Sequence, residues 1–256
     1  MAYVSLSFIH LAYRKENNFR KDITRLFDIR RIPLERKLIG FVGRLENKKG
    51  LQILEALVEL SKKGDRLKDT CLLIQFPYWH GVKKRESYKL TAEALRQANR
   101  DWVWLYPDQG PRLPNRPMRN FDVLLVPSLS EVQPMVILEA LASGIPVVAT
   151  SSSGFLRDLN EKLGFEKTEC WTISLPQKFD EGAAVCDKFG EIDQPRRPDD
   201  NLINSIVEAF NGILVYTDEQ RIKLAAKAES AGFSATKMNA EFLRIYDEAV
   251  ADFRKY

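Results

Sequence analysis

Short apolar runs alternate with stretches of helical periodicity along most of the chain. Leu38-Ile39-Gly40-Phe41-Val42 predicts a strand, and Leu51 to Leu60, with Leu51, Leu54, Leu57 and Val58 at helical spacing, predicts the helix that follows. Cys71 to Phe76 predicts a second strand, Glu86 to Arg100 a polar-faced helix, and Trp102 to Leu105 a third strand ahead of a Pro-rich loop at Pro107–Pro117. A strand at 123–126, a helix at 134–143, a strand at 145–149, a helix near Leu156–Leu163 and a last strand at Trp171–Leu175 come next. From about Asn201 the pattern turns helical, with Leu202, Ile203, Ile206 and Val207 on one face. Strands separated by helices imply one α/β domain: a doubly wound parallel sheet of six strands, covered on both faces and closed by C-terminal helices. No internal repeat interrupts this order. Only Gln177 to Asp200 is poor in apolar residues, and it is expected to be a mobile insertion.

The richest segment runs Phe121-Asp-Val-Leu-Leu-Val-Pro-Ser-Leu-Ser-Glu131, then Val-Gln-Pro-Met-Val-Ile-Leu-Glu139 and on through Gly144 to Thr150. Pro134 suits a first helical turn, where its missing N–H has no intrahelical partner to lose. Gly144 suits the left-handed residue that ends a helix. Glu131 therefore belongs to the loop at a strand's carboxyl end, and Glu139 to the helix beyond it. Open α/β sheets bind ligands at such ends, and a helix N-terminus there offers free N–H groups to a phosphate.

Composition narrows the classes. With 256 residues and 45% apolar content, the chain can bury a sizeable core. Lys and Arg exceed Asp and Glu by 39 to 35, too small a surplus to argue for nucleic acid. No apolar run reaches the ~20 residues that span a bilayer, and the N-terminus lacks a charged region followed by a cleavage site. Cys71, Cys170 and Cys186 are odd in number and widely spaced, which fits reduced thiols and a cytoplasmic location.

The segment resembles the Glu-x7-Glu signature of family 4-type retaining glycosyltransferases with the GT-B fold. Gly43-Arg44-Leu45-Glu46-Asn47-Lys48-Lys49-Gly50 resembles the same family's Gly-Arg-Leu-x-x-x-Lys-Gly loop. Pro127-Ser128, Leu138-Glu139-Ala140, Gly144-Ile-Pro-Val-Val-Ala-Thr150, Phe233-Ser234 and the closing helix from Glu241 also fit, so the likeness covers roughly residues 36 to 250. It implies the C-terminal, donor-binding, Rossmann-like half of a GT-B enzyme over residues 38–256, with 1–37 as interdomain linker and helix. By the same resemblance, Arg44 and Lys49 bind the donor diphosphate, and Glu131 contacts the transferred hexose. Glu139 accepts the ribose hydroxyls, while the backbone of Gln133, Pro134, Met135 and Val136 holds the sugar. The donor is a UDP-, GDP- or ADP-sugar, with no cofactor and no metal, and the sequence holds no Asp-x-Asp motif.

Duller readings stand beside several of these. Lys48 reads as solvated, Ser128 and Thr150 as capping or turn residues, and His80, in Tyr78-Trp79-His80-Gly81, as part of a packed surface loop. The sequence departs from the family where Val132 replaces a glycine, where Ser153-Gly154 precedes Arg157-Asp158, and in the long 164–200 segment. The family's first Rossmann-like domain, which holds the acceptor, is expected to lie outside these 256 residues. The expectation is half an enzyme, working with that domain as partner and compatible with peripheral membrane association of the whole. A non-catalytic sugar-nucleotide-binding domain of the same fold is the alternative, and an unrelated nucleotide-binding α/β protein a weaker one.

Overall fold

The computed structural model describes residues 33, 35–76, 82–106, 120–131, 135–152, 154–161, 163–175 and 198–232. Residues 1–32 of the expected linker, the Tyr78–Gly81 loop, the Pro-rich loop, most of 177–200 and the expected closing helix lie outside them, as do Gln133 and Pro134.

Six strands form one parallel sheet: β1 (Lys37–Val42), β2 (Thr70–Gln75), β3 (Val103–Leu105), β4 (Val123–Val126), β5 (Val147–Thr150) and β6 (Cys170–Ile173). Their order is β3-β2-β1-β4-β5-β6, so the winding reverses between β1 and β4. Between strands run α1 (Leu51–Ser61), α2 (Val82–Ala98), α3 (Met135–Ala142) and α4 (Gly154–Glu161), and α5 (Asp200–Ile213) and α6 (Asp218–Ser230) follow β6. Crossovers between parallel strands keep one hand, so reversing the winding moves the helices to the opposite face.

Alternation along each strand assigns its side chains to the two layers. Ile39, Phe41, Leu72, Ile74, Val123 and Leu125 pack with residues of α1, α2 and α5. Leu38, Leu73, Leu124, Val126, Val147 and Ala149 pack with residues of α3, α4 and α6. These two apolar layers are the faces of one sheet, and the expected doubly wound, Rossmann-like domain is what forms.

Boundaries differ from expectation where local hydrogen bonds intervene. The strand expected at 145–149 begins at Val147, because residues 144–145 finish α3 instead. Gly144 has φ 71°, its N–H bonds to the Leu141 carbonyl at 3.0 Å, and Ile145 N–H reaches back to Ala140 at 2.9 Å. That pair of bonds is the left-handed helix end that Gly144 was expected to supply. The polar-faced helix begins at Val82, earlier than the expected Glu86. No helix among the described residues is long and apolar enough to cross a membrane.

One polar cluster locks the amino end of the central strands. Asp122 accepts a 2.7 Å bond from Leu38 N–H, tying the start of β4 to β1. Arg221 of α6, 8% exposed, donates to the Phe121 carbonyl at 3.0 Å and to Asp122 Oδ1 at 3.2 Å. Burying a guanidinium is tolerable only with such partners. Arg221→Leu should cost about 2–4 kcal/mol of unfolding free energy in a urea titration, since the Asp122 carboxylate and the Phe121 carbonyl each lose a buried donor. A loss within the scatter of surface substitutions, about 0.5 kcal/mol, would show that the cluster does not hold α6 to the sheet.

Candidate functional site

The carboxyl ends of β1 and β4 flank the point where the strand order reverses, the place where open α/β sheets bind nucleotides. Two loops meet there. The β1–α1 loop carries Gly43 to Gly50, and the β4–α3 loop begins at Pro127. Gly50 has φ 82°, and a Cβ on it would lie 1.9 Å from the Pro127 carbonyl oxygen. Only glycine satisfies both the dihedral and the approach. The Leu129 N–H then donates to the Lys48 carbonyl at 2.8 Å, fastening one loop to the other.

This fastening brings two of the expected residues together. Lys49 Nζ pairs with Glu131 Oε1, with only 20% and 14% of the two side chains exposed. Ser128 Oγ donates to the same carboxylate oxygen at 2.9 Å. Thr150, fully buried at the end of β5, donates to the Ser128 carbonyl, and Glu131 N–H reaches the Ser152 carbonyl at 3.3 Å. Glu131 is therefore braced from three strand ends. Both side-chain bonds fall on Oε1, so Oε2 has no partner among the described residues.

Arg44 lies in the same loop but pairs elsewhere. Its Nη1 is 3.0 Å from Glu46 Oε2, and the Tyr88 hydroxyl of α2 also donates to Glu46. Tyr88 is 4% exposed, and its phenol is pushed up to about 12, by burial first and then by the Glu46 bond. The sequence reading quoted Glu46 only as part of the loop motif and missed Tyr88. No local signal could mark it: an aromatic residue on the inner face of a helix reads as core.

On α3, Ile137, Leu138, Ala140 and Leu141 are buried, whereas Met135 and Glu139, four residues apart, share the exposed stripe. Met135 and Val136, whose backbone was expected to hold a sugar, form the first turn of α3, with Val136 packed against the core. Only their backbone N–H groups remain suited to that role. Glu139 makes no side-chain hydrogen bond or ion pair among the described residues, and desolvation by the surrounding protein raises its carboxyl above the ordinary 4.5. Among the described residues no three His, Cys, Asp or Glu side chains gather as metal ligands.

A carboxyl whose folded pKa is raised binds its proton more tightly folded than unfolded, so it lowers stability once pH passes the ordinary carboxylate value. Below 4.5 both states are protonated and the penalty vanishes. Glu139→Gln should therefore melt higher than the parent at pH 7, and the gap should close as pH falls through the mid-fours. An equal or lower melting temperature at pH 7 would mean that Glu139 is held by favourable contacts.

The family model described as glycosyl transferases group 1 matches residues 22–164. The D-inositol 3-phosphate glycosyltransferase of Corynebacterium jeikeium is 36% identical over 124 residues, 48% of this chain and 29% of that protein. The enzyme of the same name from Corynebacterium urealyticum is 28% identical over 196 residues, 73% of this chain and 46% of that protein. The chain thus spans less than half the length of these curated relatives. Among solved structures, an alpha,alpha-trehalose 6-phosphate synthase from Burkholderia multivorans superposes with a TM-score of 0.59 at 16% identity, covering 97% of this chain and 50% of that one. A glycosyltransferase from Rickettsia africae superposes with a TM-score of 0.55 at 18% identity, covering 96% and 55%. At such identities these likenesses are of fold. The family model spans more than half of the chain, and the chain belongs to the glycosyl transferases group 1 family.

Proposed function

We propose that this domain binds the nucleotide-sugar donor of a retaining, metal-independent hexosyltransferase, and that a second Rossmann-like domain, on the same or another polypeptide, supplies the acceptor. The observation that carries this reading is the meeting of Lys49 and Glu131 at the switch point between β1 and β4. Transfer expels a nucleoside diphosphate, so the barrier falls where fixed positive groups meet the developing charge. Lys49 and Arg44 are two of the three cations of the switch-point loop, one a point charge and the other a planar fork. The first turn of α3 adds N–H donors and a positive dipole end beside them. Glu131 Oε2, without a partner among the described residues, suits a sugar hydroxyl, while Lys49 and Ser128 meet Oε1. Glu139, exposed and without a side-chain partner among the described residues, suits the two ribose hydroxyls, because a carboxylate accepts side by side.

Calorimetry with UDP, GDP and ADP against their nucleosides tests the reading. At least one diphosphate should bind more tightly than its nucleoside, and Lys49→Ala should erase most of the difference. Equal binding of nucleoside and diphosphate by the unmutated chain would sink it. Glu139→Gln should weaken nucleosides and nucleotides alike by about 1–3 kcal/mol, the cost of an unmatched polar partner, and leave sugar phosphates unaffected. A comparable loss for sugar phosphates would take Glu139 away from the ribose.

A further inference from the structure

The loop that presents Lys49 also presents Arg44, but the two cations are held differently. Lys49 meets an acid from the neighbouring loop. Arg44 is held by Glu46, two residues along its own loop, and Glu46 is held in turn by Tyr88 on α2. Glu46 cannot easily move. Its backbone carbonyl accepts the Lys49 N–H at 2.9 Å, closing the turn before α1, and its carboxylate takes Arg44 on both oxygens and the phenol on Oε1.

We propose that Tyr88 and Glu46 form a clamp that positions Arg44 for the donor diphosphate, an inference that rests on the donor reading above. An arginine side chain surrenders considerable rotamer freedom when it grips a ligand. A fixed carboxylate on Nη1 bears that loss in advance, and of the five N–H groups of the fork some remain for phosphate oxygens even with the Tyr88 phenol beside it. The phenol adds a second effect. Its hydrogen bond draws charge from Glu46, so the carboxylate competes less strongly with a phosphate for the guanidinium. Burial and Glu46 together push the phenol up to about 12, which keeps it a donor throughout the neutral range. Tyr88 is thus a positioning residue that acts through Glu46 and on Arg44 beside it, and needs no contact with the nucleotide.

The bland alternative is that the hydroxyl only pins α2 to the loop. Tyr88→Phe separates the two, because the ring belongs to the core under α1 and stays packed when the oxygen is removed. The full chain and its Tyr88→Phe, Arg44→Ala and doubly substituted forms are titrated with UDP, GDP, ADP and the matching nucleosides, and their melting temperatures recorded. Tyr88→Phe should weaken the preferred diphosphate about three- to tenfold, the worth of one hydrogen bond, and leave its nucleoside unchanged. In the Arg44→Ala background it should have no further effect. If Tyr88→Phe fails to fold, Glu46→Asp carries the same test, since the shortened carboxylate cannot reach both partners, and it should show the same selective loss. Should Arg44→Ala weaken only the diphosphate while Tyr88→Phe changes nothing, or weakens diphosphate and nucleoside equally, the clamp is overturned and the donor reading stands. Should the unmutated chain not distinguish diphosphate from nucleoside, the donor reading falls and the clamp falls with it.

Discussion

The contact between the Gly50 backbone and the Pro127 carbonyl governs the site more than any side chain does. The reversal of winding sends α1 to one face of the sheet and α3 to the other. Their leading loops would therefore diverge from the strand ends unless something held them side by side. The bond from Leu129 N–H to the Lys48 carbonyl does so, and it forms only because residue 50 has no β-carbon to push Pro127 away. Lys49 sits between those two fastenings. Its side chain is aimed at Glu131 by backbone geometry set one residue to either side, and the ion pair follows from the packing.

The sheet was legible in the sequence because its strands are buried on both faces and read as continuous apolar runs. Val123 to Val126 is such a run, and its strand matches the expectation residue for residue. Error entered at the ends, where hydrogen bonding and not hydrophobicity decides. Ile145 is buried and apolar like a strand residue, but its N–H is committed to the end of α3. Lys49 and Glu131, singled out by the resemblance of their loops to family motifs, follow adjacent strands and meet. Spacing could not say which partner each charged group would take. Arg44 turning to Glu46, and Glu46 to Tyr88, depend on where α2 lies on the sheet. The lock between Arg221 and Asp122, ninety-nine residues apart, depends likewise on where α6 lands.

The two acids of the signature occupy opposite electrostatic situations, although only seven residues intervene. Glu131 lies in a loop fastened on both sides, with an ammonium and a hydroxyl on one oxygen. Glu139 projects from α3 with no compensating cation among the described residues, and desolvation by the surrounding protein raises its pKa. A helix surface that served stability alone would favour a neutral residue there.

On the donor reading, the ion pair at the centre also does more than hold two loops. Unit charges about 4 Å apart at the dielectric of a protein surface interact by roughly 4 kcal/mol. A diphosphate brings at least two negative charges against the single charge of Glu131, so it competes successfully for Lys49. That exchange would transfer the ammonium from carboxylate to phosphate and leave Ser128 as the partner of Glu131 Oε1 among the described residues. The sugar attached to the diphosphate arrives with both carboxylate oxygens able to accept from its hydroxyls. On that reading, phosphate binding and sugar reading would be coupled through one lysine, and a nucleoside that lacks the diphosphate would leave Glu131 engaged.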